Sequence, residues 1–315
     1  RAVDGRVRGE EELVAVDALL HHEFGELFRL LKRERDARAV ALTGEGKAFS
    51  AGGDFGWFPA LRDTAALDEL RRDAKQMIWD LLDVEVPIVC GLNGAAAGLG
   101  ASIALLCDVI VMSERAVIID PHVNVGLVAG DGGAAVWPLL LGPLAAKRHL
   151  LLGEPLSAAE ALRLGVASEV CAPEEVRERA LAWAGRLAAQ PPLAVKGTKQ
   201  AVNAQLKQAL LTSFDLSIAL EIPCFLSHDH KEAIDAFRAR LPVLAVIDVR
   251  LRVEPEGGFE LCRDLRSLSA ELPIIFLTGH GDVAGGVQAM KRGAVDYLLK
   301  PVDPDTLLTT IRGAI

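Results

Sequence analysis

An α/β architecture is predicted by three features of the chain. Short apolar runs are closed by glycine or by Asn-Gly, as buried strands are. Between them lie stretches whose apolar residues recur at helical spacing. The apolar content is mostly Ala, Leu and Val, with aromatics at only 5%, which suits close-packed helices on buried strands better than an all-β barrel.

Taken in order, residues 1–14 are charged and irregular and are assigned no element. Asp17 to Arg33 carries Leu19, Leu20, Phe24, Leu27, Leu30 and Leu31 on one face and is predicted as an amphipathic helix. Ala39 to Thr43 is a buried strand stopped by Gly44 and Gly46, and a Gly-rich turn follows at Ser50 to Asp54. A helix over Leu67–Leu82 leads to a strand at Pro87–Leu92, a turn at Asn93-Gly94 and a helix from Gly98 to Leu106. Val109–Met112 and Val166–Val170 are further strands. Helices are expected at Ala134–Leu140, Pro143–Leu151, Ala158–Leu164, Pro173–Ala188 and Pro192–Ser213. The pattern restarts near Leu241-Pro242, without a Gly/Ser linker. Strands at Val243–Val249, Ile274–Thr278 and Asp296–Leu299 alternate there with helices at Phe259–Ser269, Val283–Arg292 and after Pro304. The predicted domains are therefore 1–241 and 242–315.

Composition excludes several classes. The 315 residues are 51% hydrophobic and 24% charged, enough for a large core. A net charge of −9 repels phosphate backbones, so nucleic acid is not an expected partner. Five scattered cysteines with no CxxC pair fit free thiols in a reducing cytoplasm, not disulfides or a zinc site, and no metal is expected. Charges from Arg1 onward argue against a secretory leader. Val86 to Cys107 is uncharged and long enough to cross a bilayer. Pro87, Asn93 and four glycines break it, however, and buried core rather than membrane is expected.

Two Gly-rich turns carry the chemistry. Ala48-Phe49-Ser50-Ala51-Gly52-Gly53-Asp54 follows a strand, and Asn93-Gly94-Ala95-Ala96-Ala97-Gly98-Leu99-Gly100-Ala101 opens a helix. Glycine allows backbone N–H groups to approach a ligand, and a helix N-terminus adds unpaired N–H groups. Facing each other, two such turns would hold an oxyanion; singly, each is no more than a tight turn.

Together with Pro87-Ile88-Val89-Cys90-Gly91-Leu92-Asn93-Gly94, Cys107-Asp108, Gly132-Gly133, Leu156-Ser157-Ala158-Ala159-Glu160-Ala161 and Asp229-His230-Lys231-Glu232-Ala233, these turns resemble the enoyl-CoA hydratase/isomerase (crotonase) superfamily over about residues 15–241. The resemblance implies a crotonase-like spiral of ββα units with C-terminal helices and a homo-trimer or hexamer. It implies an acyl-CoA thioester as substrate, coenzyme A being part of that substrate with no separate cofactor. It also implies an oxyanion hole from the N–H groups of Gly53 and Leu99. Ala51, Asp54, Trp57, Gly98 and Lys231 fall where substrate would lie. Trp57 and Phe58 either line an acyl pocket or pack under a loop, and Asp54 either touches substrate or caps a helix start.

The two glutamates that family hydratases use are replaced here by Ser102 and His122. Serine is too weakly acidic to serve alone as a base near pH 7, so two-glutamate hydration is not expected. The acid/base candidates are Asp131 and His122, with Ser102 at the remaining position. His122 is either a proton carrier or a neutral wall residue. Asp131 is either an acid/base group or a helix N-cap. Lys199 is expected on a solvated helix face, and His21-His22 at the surface.

Residues 243–315 resemble the second half of a response-regulator receiver domain, an incomplete flavodoxin-like fragment. The residues that carry this are Val246-Ile247-Asp248, Leu272-Pro273-Ile274-Ile275-Phe276-Leu277-Thr278 and Tyr297-Leu298-Leu299-Lys300-Pro301. The resemblance makes Asp248 the phosphoacceptor position, with Thr278 and Lys300 beside the phosphoryl group. The acidic pair that would hold Mg²⁺ is missing, so these positions are expected to be inactive. The reading is an acyl-CoA enzyme. Its alternatives are a non-catalytic acyl-CoA binder and a signalling protein with a degenerate receiver segment.

Overall fold

Between residues 39 and 119 successive strands alternate between two sheets in the computed structural model, which describes residues 2–5, 15–54, 57–58, 61, 63–239, 244–248, 257–268, 272–279 and 283–314. β1 (Ala2–Gly5), β2 (Ala39–Thr43), β4 (Ile88–Leu92), β6 (Val109–Ser113) and β9 (Glu169–Cys171) form one sheet in that order, all parallel. β3 (Ala48–Ser50), β5 (Ala95–Ala97), β7 (Val117–Ile119) and β8 (Leu156–Ser157) form the other, with only β7–β8 antiparallel. From β2 to β7 each turn of the chain thus gives one strand to each sheet and then a helix, which is the expected spiral.

The parallel sheet is covered on both faces, which explains its continuous apolar runs. Ala39, Ala41, Val89 and Val111 pack against Ala180 and Ala184 of α7 (Val176–Ala188). The alternate residues Val40, Leu42, Ile88, Cys90 and Ile110 enter the main core with Phe28 and Trp137. The uncharged Val86–Cys107 stretch resolves into β4, β5 and α3 (Leu99–Leu105). No single helix among the described residues is long and apolar enough to cross a membrane.

The remaining helices of this part are α1 (Ala18–Arg33), α2 (Thr64–Asp83), α4 (Gly133–Leu141), α5 (Pro143–Leu152), α6 (Ala158–Arg163), α8 (Pro192–Phe225) and α9 (His228–Ala239). Asp17 caps α1 by accepting from the Leu20 amide at 2.8 Å, and Asp63 caps α2. Leu139, Leu144, Leu151 and Leu152 of α4 and α5 are exposed.

Several expectations are corrected. Residues 2–5 are a strand, paired with β2 in the register Ala2↔Ala39; that pairing is long-range and leaves little local signal. β3, β5, β7 and β8 are too short to show alternation and were not anticipated. The Val166–Val170 strand is confined to Glu169–Cys171, and Pro173–Glu175 is a 3₁₀ turn ahead of α7. α8 runs past Ser213 to Phe225, carrying Pro223 in its last turn. His21 is buried, not at the surface. Lys199 is buried as well, donating to Asp108 Oδ2 at 2.7 Å and to the Val86 carbonyl at 3.0 Å. A lysine in a helix of mixed polarity, with Lys196 and Lys207 in the same helix, gives no sign of such a distant partner.

The chain divides into two compact units, 1–234 and 235–315; residues 240–243, where the joint was expected, lie outside the described residues. The second unit has a parallel sheet in the order β10 (Ala245–Asp248), β11 (Ile274–Thr278), β12 (Asp296–Leu299). With it go α10 (Gly257–Leu268), α11 (Val283–Lys291) and α12 (Pro304–Ala314). Ile247, Phe259, Cys262, Ile274 and Phe276 make its core.

Candidate active site

The two glycine turns meet at a cavity of about 140 Å³. Val16 bridges in parallel to Gly53: its amide donates to the Gly52 carbonyl at 2.7 Å, and the Asp54 amide donates to the Val16 carbonyl at 3.0 Å. Extended backbone alternates its direction of hydrogen bonding, so the Gly53 N–H points away from Val16. Leu99 is the first residue of α3, whose N-cap Gly98 has φ 54° and offers no capping side chain. The first amides of a helix have no partner within it.

The cavity wall is largely apolar, with Phe58, Leu61, Leu127, Ile218, Ile222 and Phe225 among its residues. Of the predicted substrate residues, Ala51, Gly53, Trp57, Gly98 and Leu99 line it, together with His122 and Asp131. Asp54, Ser102 and Lys231 do not. Asp54 accepts from the Trp57 amide at 3.0 Å through its carbonyl, and α2 is capped by Asp63 instead. Lys231 is exposed on α9. Ser102 is fully buried in α3, its Oγ without a hydrogen-bond partner and turned toward Gly132. Its hydroxyl therefore does not line the cavity.

His122 opens a 3₁₀ turn (His122–Val125) and sits among three carboxylates. Its Nδ1 lies 2.6 Å from Asp120 Oδ1, and its Nε2 lies 3.4 Å from Asp131 Oδ2 and 3.8 Å from Glu221 Oε1. Burial alone would lower the His122 pKa. The charges of Asp131, Asp120 and Glu221 outweigh it and hold the ring well above its ordinary value, which favours the imidazolium form. Burial pushes the Asp131 carboxyl up to about 6, against the pull of His122 and of the Gly133 amide. Burial also pushes Glu221 up to about 8. Asp131 is not an N-cap, because Gly132 holds that place in α4 without a side-chain bond.

The glycines of Ala129-Gly130-Asp131-Gly132-Gly133 are required by close approach. A Cβ on Gly130 would overlap the Glu221 carboxylate, and one on Gly133 would overlap that of Asp120. One ligand atom each from Asp120, His122 and Asp131 lies within 4.8 Å of the others, a span that a divalent ion bridges.

Glu221, Asp120 and His21 are the site residues that sequence reasoning missed. Glu221 is the one acid in the apolar run Ile218 to Leu226, and an isolated charge in such a run was the available signal. His21 lines the cavity beside Trp57, ring centroids 5.8 Å apart, with its pKa lowered by burial.

In the second unit the predicted positions converge on one sheet edge. Thr278 ends β11 and is buried, and Lys300 directly follows β12, its amide donating to the Thr278 carbonyl at 2.7 Å. Asp248 ends β10 opposite Leu277; its side chain lies outside the described part.

A ββα spiral that brings glycine-turn backbone and a buried histidine–carboxylate cluster to one apolar pocket defines an enzyme class. Residues 8–243 match the family described as enoyl-CoA hydratase/isomerase, and the chain belongs to that family. Residues 202–312 match the response regulator receiver domain, a stretch that begins inside α8. Among relatives, a probable mitochondrial enoyl-CoA hydratase of Dictyostelium discoideum is 30% identical over 72% of this chain and 81% of its own. The 1,2-epoxyphenylacetyl-CoA isomerase of Escherichia coli (strain K12) is 29% identical over 73% and 89%. Among solved structures, an enoyl-CoA hydratase/isomerase from Mycobacterium paratuberculosis superposes with TM-score 0.70 at 36% identity, over 73% of this chain and 92% of that one. A β-diketone hydrolase from Anabaena sp. PCC 7120, bound to (S)-3-oxocyclohexyl acetic acid, superposes with TM-score 0.66 at 35% identity, over 71% and 89%.

Proposed function

We propose that the pocket binds an acyl-CoA thioester and stabilises its enolate. The thioester oxygen accepts hydrogen bonds from the Gly53 and Leu99 amides, while Asp131, backed by His122, moves the α-proton. The single observation that carries this reading is His122, ringed by three carboxylates, lining the same cavity as Gly53 and Leu99. Each amide donor is worth about 3 kcal/mol in such a transition state. With serine and histidine at the two family glutamate positions, double-bond isomerisation suits the site better than hydration. A panel of crotonyl-CoA and a 3-enoyl-CoA tests this. Isomerisation of the 3-enoyl thioester, at a rate above crotonyl-CoA hydration, is the expected result; turnover of neither refutes the reading.

A second reading, hydrolytic cleavage of a β-diketone, is favoured by the Asp120–His122 pair and by the likeness to the Anabaena hydrolase. In this chemistry water adds to one carbonyl, the carbon–carbon bond to the central carbon breaks, and the enolate left behind takes a proton. A cyclic 1,3-diketone added to the same panel distinguishes it: loss of enol absorbance with formation of a keto acid would select this reading.

The receiver-like segment is proposed to be inactive in phosphoryl transfer. After incubation with acetyl phosphate and Mg²⁺, mass spectrometry is expected to find Asp248 unmodified; clear labelling of Asp248 would overturn this.

A further inference from the structure

Asp131, Glu221 and His122 line the pocket and Asp120 is bonded to His122, so with the ring protonated full ionisation would leave two uncompensated negative charges. A buried site does not sustain that, and at least one carboxyl keeps its proton. Asp120 is the poorest candidate, since it bonds His122 Nδ1 at 2.6 Å. Asp131 lies 3.4 Å from Nε2, and the backbone amides of Gly133 and of Asp131 itself also favour its charged form. Glu221 lies farther from the imidazolium, at 3.8 Å, with the backbone of Gly130 packed against its carboxyl and apolar Leu127, Ile222 and Phe225 on the same wall. The other titratable side chains facing the cavity are His21 of α1, which burial keeps neutral near pH 7, and Arg71 of α2, half exposed and paired with Asp68 at 3.5 Å. Neither takes the place of a hydrogen-bond donor to Glu221 among the described bonds.

We propose that Glu221 is a second catalytic residue, the neutral acid that delivers a proton to the γ-carbon of the substrate, and that His122 Nε2 returns a proton to it from Asp131. The inference rests on the enolate reading above and names the substrate class, β,γ-unsaturated acyl thioesters.

The steps balance without an added reactant. The Asp131 carboxylate takes a proton from the α-carbon of the 3-enoyl thioester, and the C–H electron pair becomes part of a dienolate whose oxygen faces the Gly53 and Leu99 amides. On collapse, the oxygen re-forms the carbonyl, the double bond settles between the α- and β-carbons, and the γ-carbon takes the Glu221 proton. Asp131 is then a neutral acid and Glu221 a carboxylate. His122 gives its Nε2 proton to Glu221 and takes the proton from Asp131, which restores the starting state.

The test uses the full chain, 3-hexenoyl-CoA and D₂O, with NMR following α-carbon exchange in recovered substrate alongside isomerisation. Glu221→Gln is expected to keep α-exchange within about threefold of wild type while isomerisation falls by about 100-fold or more. Asp131→Asn should lose both. Isomerisation by Glu221→Gln within tenfold of wild type would remove Glu221 as donor and leave the enolate reading intact, and so would equal loss of exchange and isomerisation in a folded variant. If the wild type neither exchanges nor isomerises, the enolate reading fails and the proposal with it. Should Glu221→Gln not fold, Glu221→Asp serves instead: preserved exchange with slowed isomerisation supports the assignment, and parallel loss of both refutes it.

Discussion

Asp131→Asn is expected to lower kcat on a 3-enoyl thioester by about 10²–10⁴-fold, the usual worth of a positioned acid or base, with KM changed much less. The asparagine keeps the shape of the side chain and loses the base. Burial, the main cause, sets the Asp131 carboxyl at about 6, so it is largely ionised at pH 7 and protonated at pH 5. Glu221, pushed by burial to about 8, holds its proton over the interval in which Asp131 has lost its own. Activity should therefore rise through pH 6 and fall through pH 8. Both limbs belong to the cluster as a whole, because His122 touches each acid. A pH–rate profile of wild type checks this, and a flat profile between pH 5 and 9 would contradict it. An Asp131→Asn enzyme with wild-type kcat would show that the base lies elsewhere.

Lys199→Met should cost about 3 kcal/mol of stability, at the lower end of what removing one partner of a buried ion pair costs. Lys199 Nζ ties α8 to the β4 and β6 region through Asp108 Oδ2 and the Val86 carbonyl, and Asp108 Oδ2 also accepts from the Ile88 amide at 2.7 Å. Methionine retains the packing of the stem and removes only the charge, leaving the Asp108 carboxylate with one donor among these. Asp108 is partly exposed, and water reaching it sets the lower figure. Chemical denaturation measures the change. A loss below about 0.5 kcal/mol, the range of an ordinary surface substitution, would mean that the pair does not anchor the helix. Because α8 also carries Glu221, the variant should lose isomerisation as well as stability.

Much of the scaffold was legible from local pattern. β2, β4, β6 and β11 are apolar runs buried along most of their length, and their length and composition mark them without reference to any neighbour. The second sheet was hidden because strands of two or three residues carry no period. β1 was hidden because its only support is a pairing more than thirty residues away. The site divides in the same way. His122 and Asp131 were legible through the family resemblance, which points to their proline- and glycine-flanked positions. Glu221 reaches them from a helix whose end was placed too early, and only the folding of α8 across the pocket brings it within reach. Lys199 and His21 were misplaced for a related reason: the residue type predicts exposure, and a distant partner or an aromatic wall overrides it.

The glycine run from Gly130 to Gly133 has a consequence for how this enzyme could change over evolutionary time. Its backbone is moulded directly onto the carboxylates of Glu221 and Asp120 and onto the hydroxyl of Ser102. A glutamate at position 102, introduced alone, would drive a longer side chain against the Gly132 backbone, which has little room to yield. Loop and charge cluster form a lock cut to one key, and a lineage seeking the two-glutamate chemistry would have to recast both together.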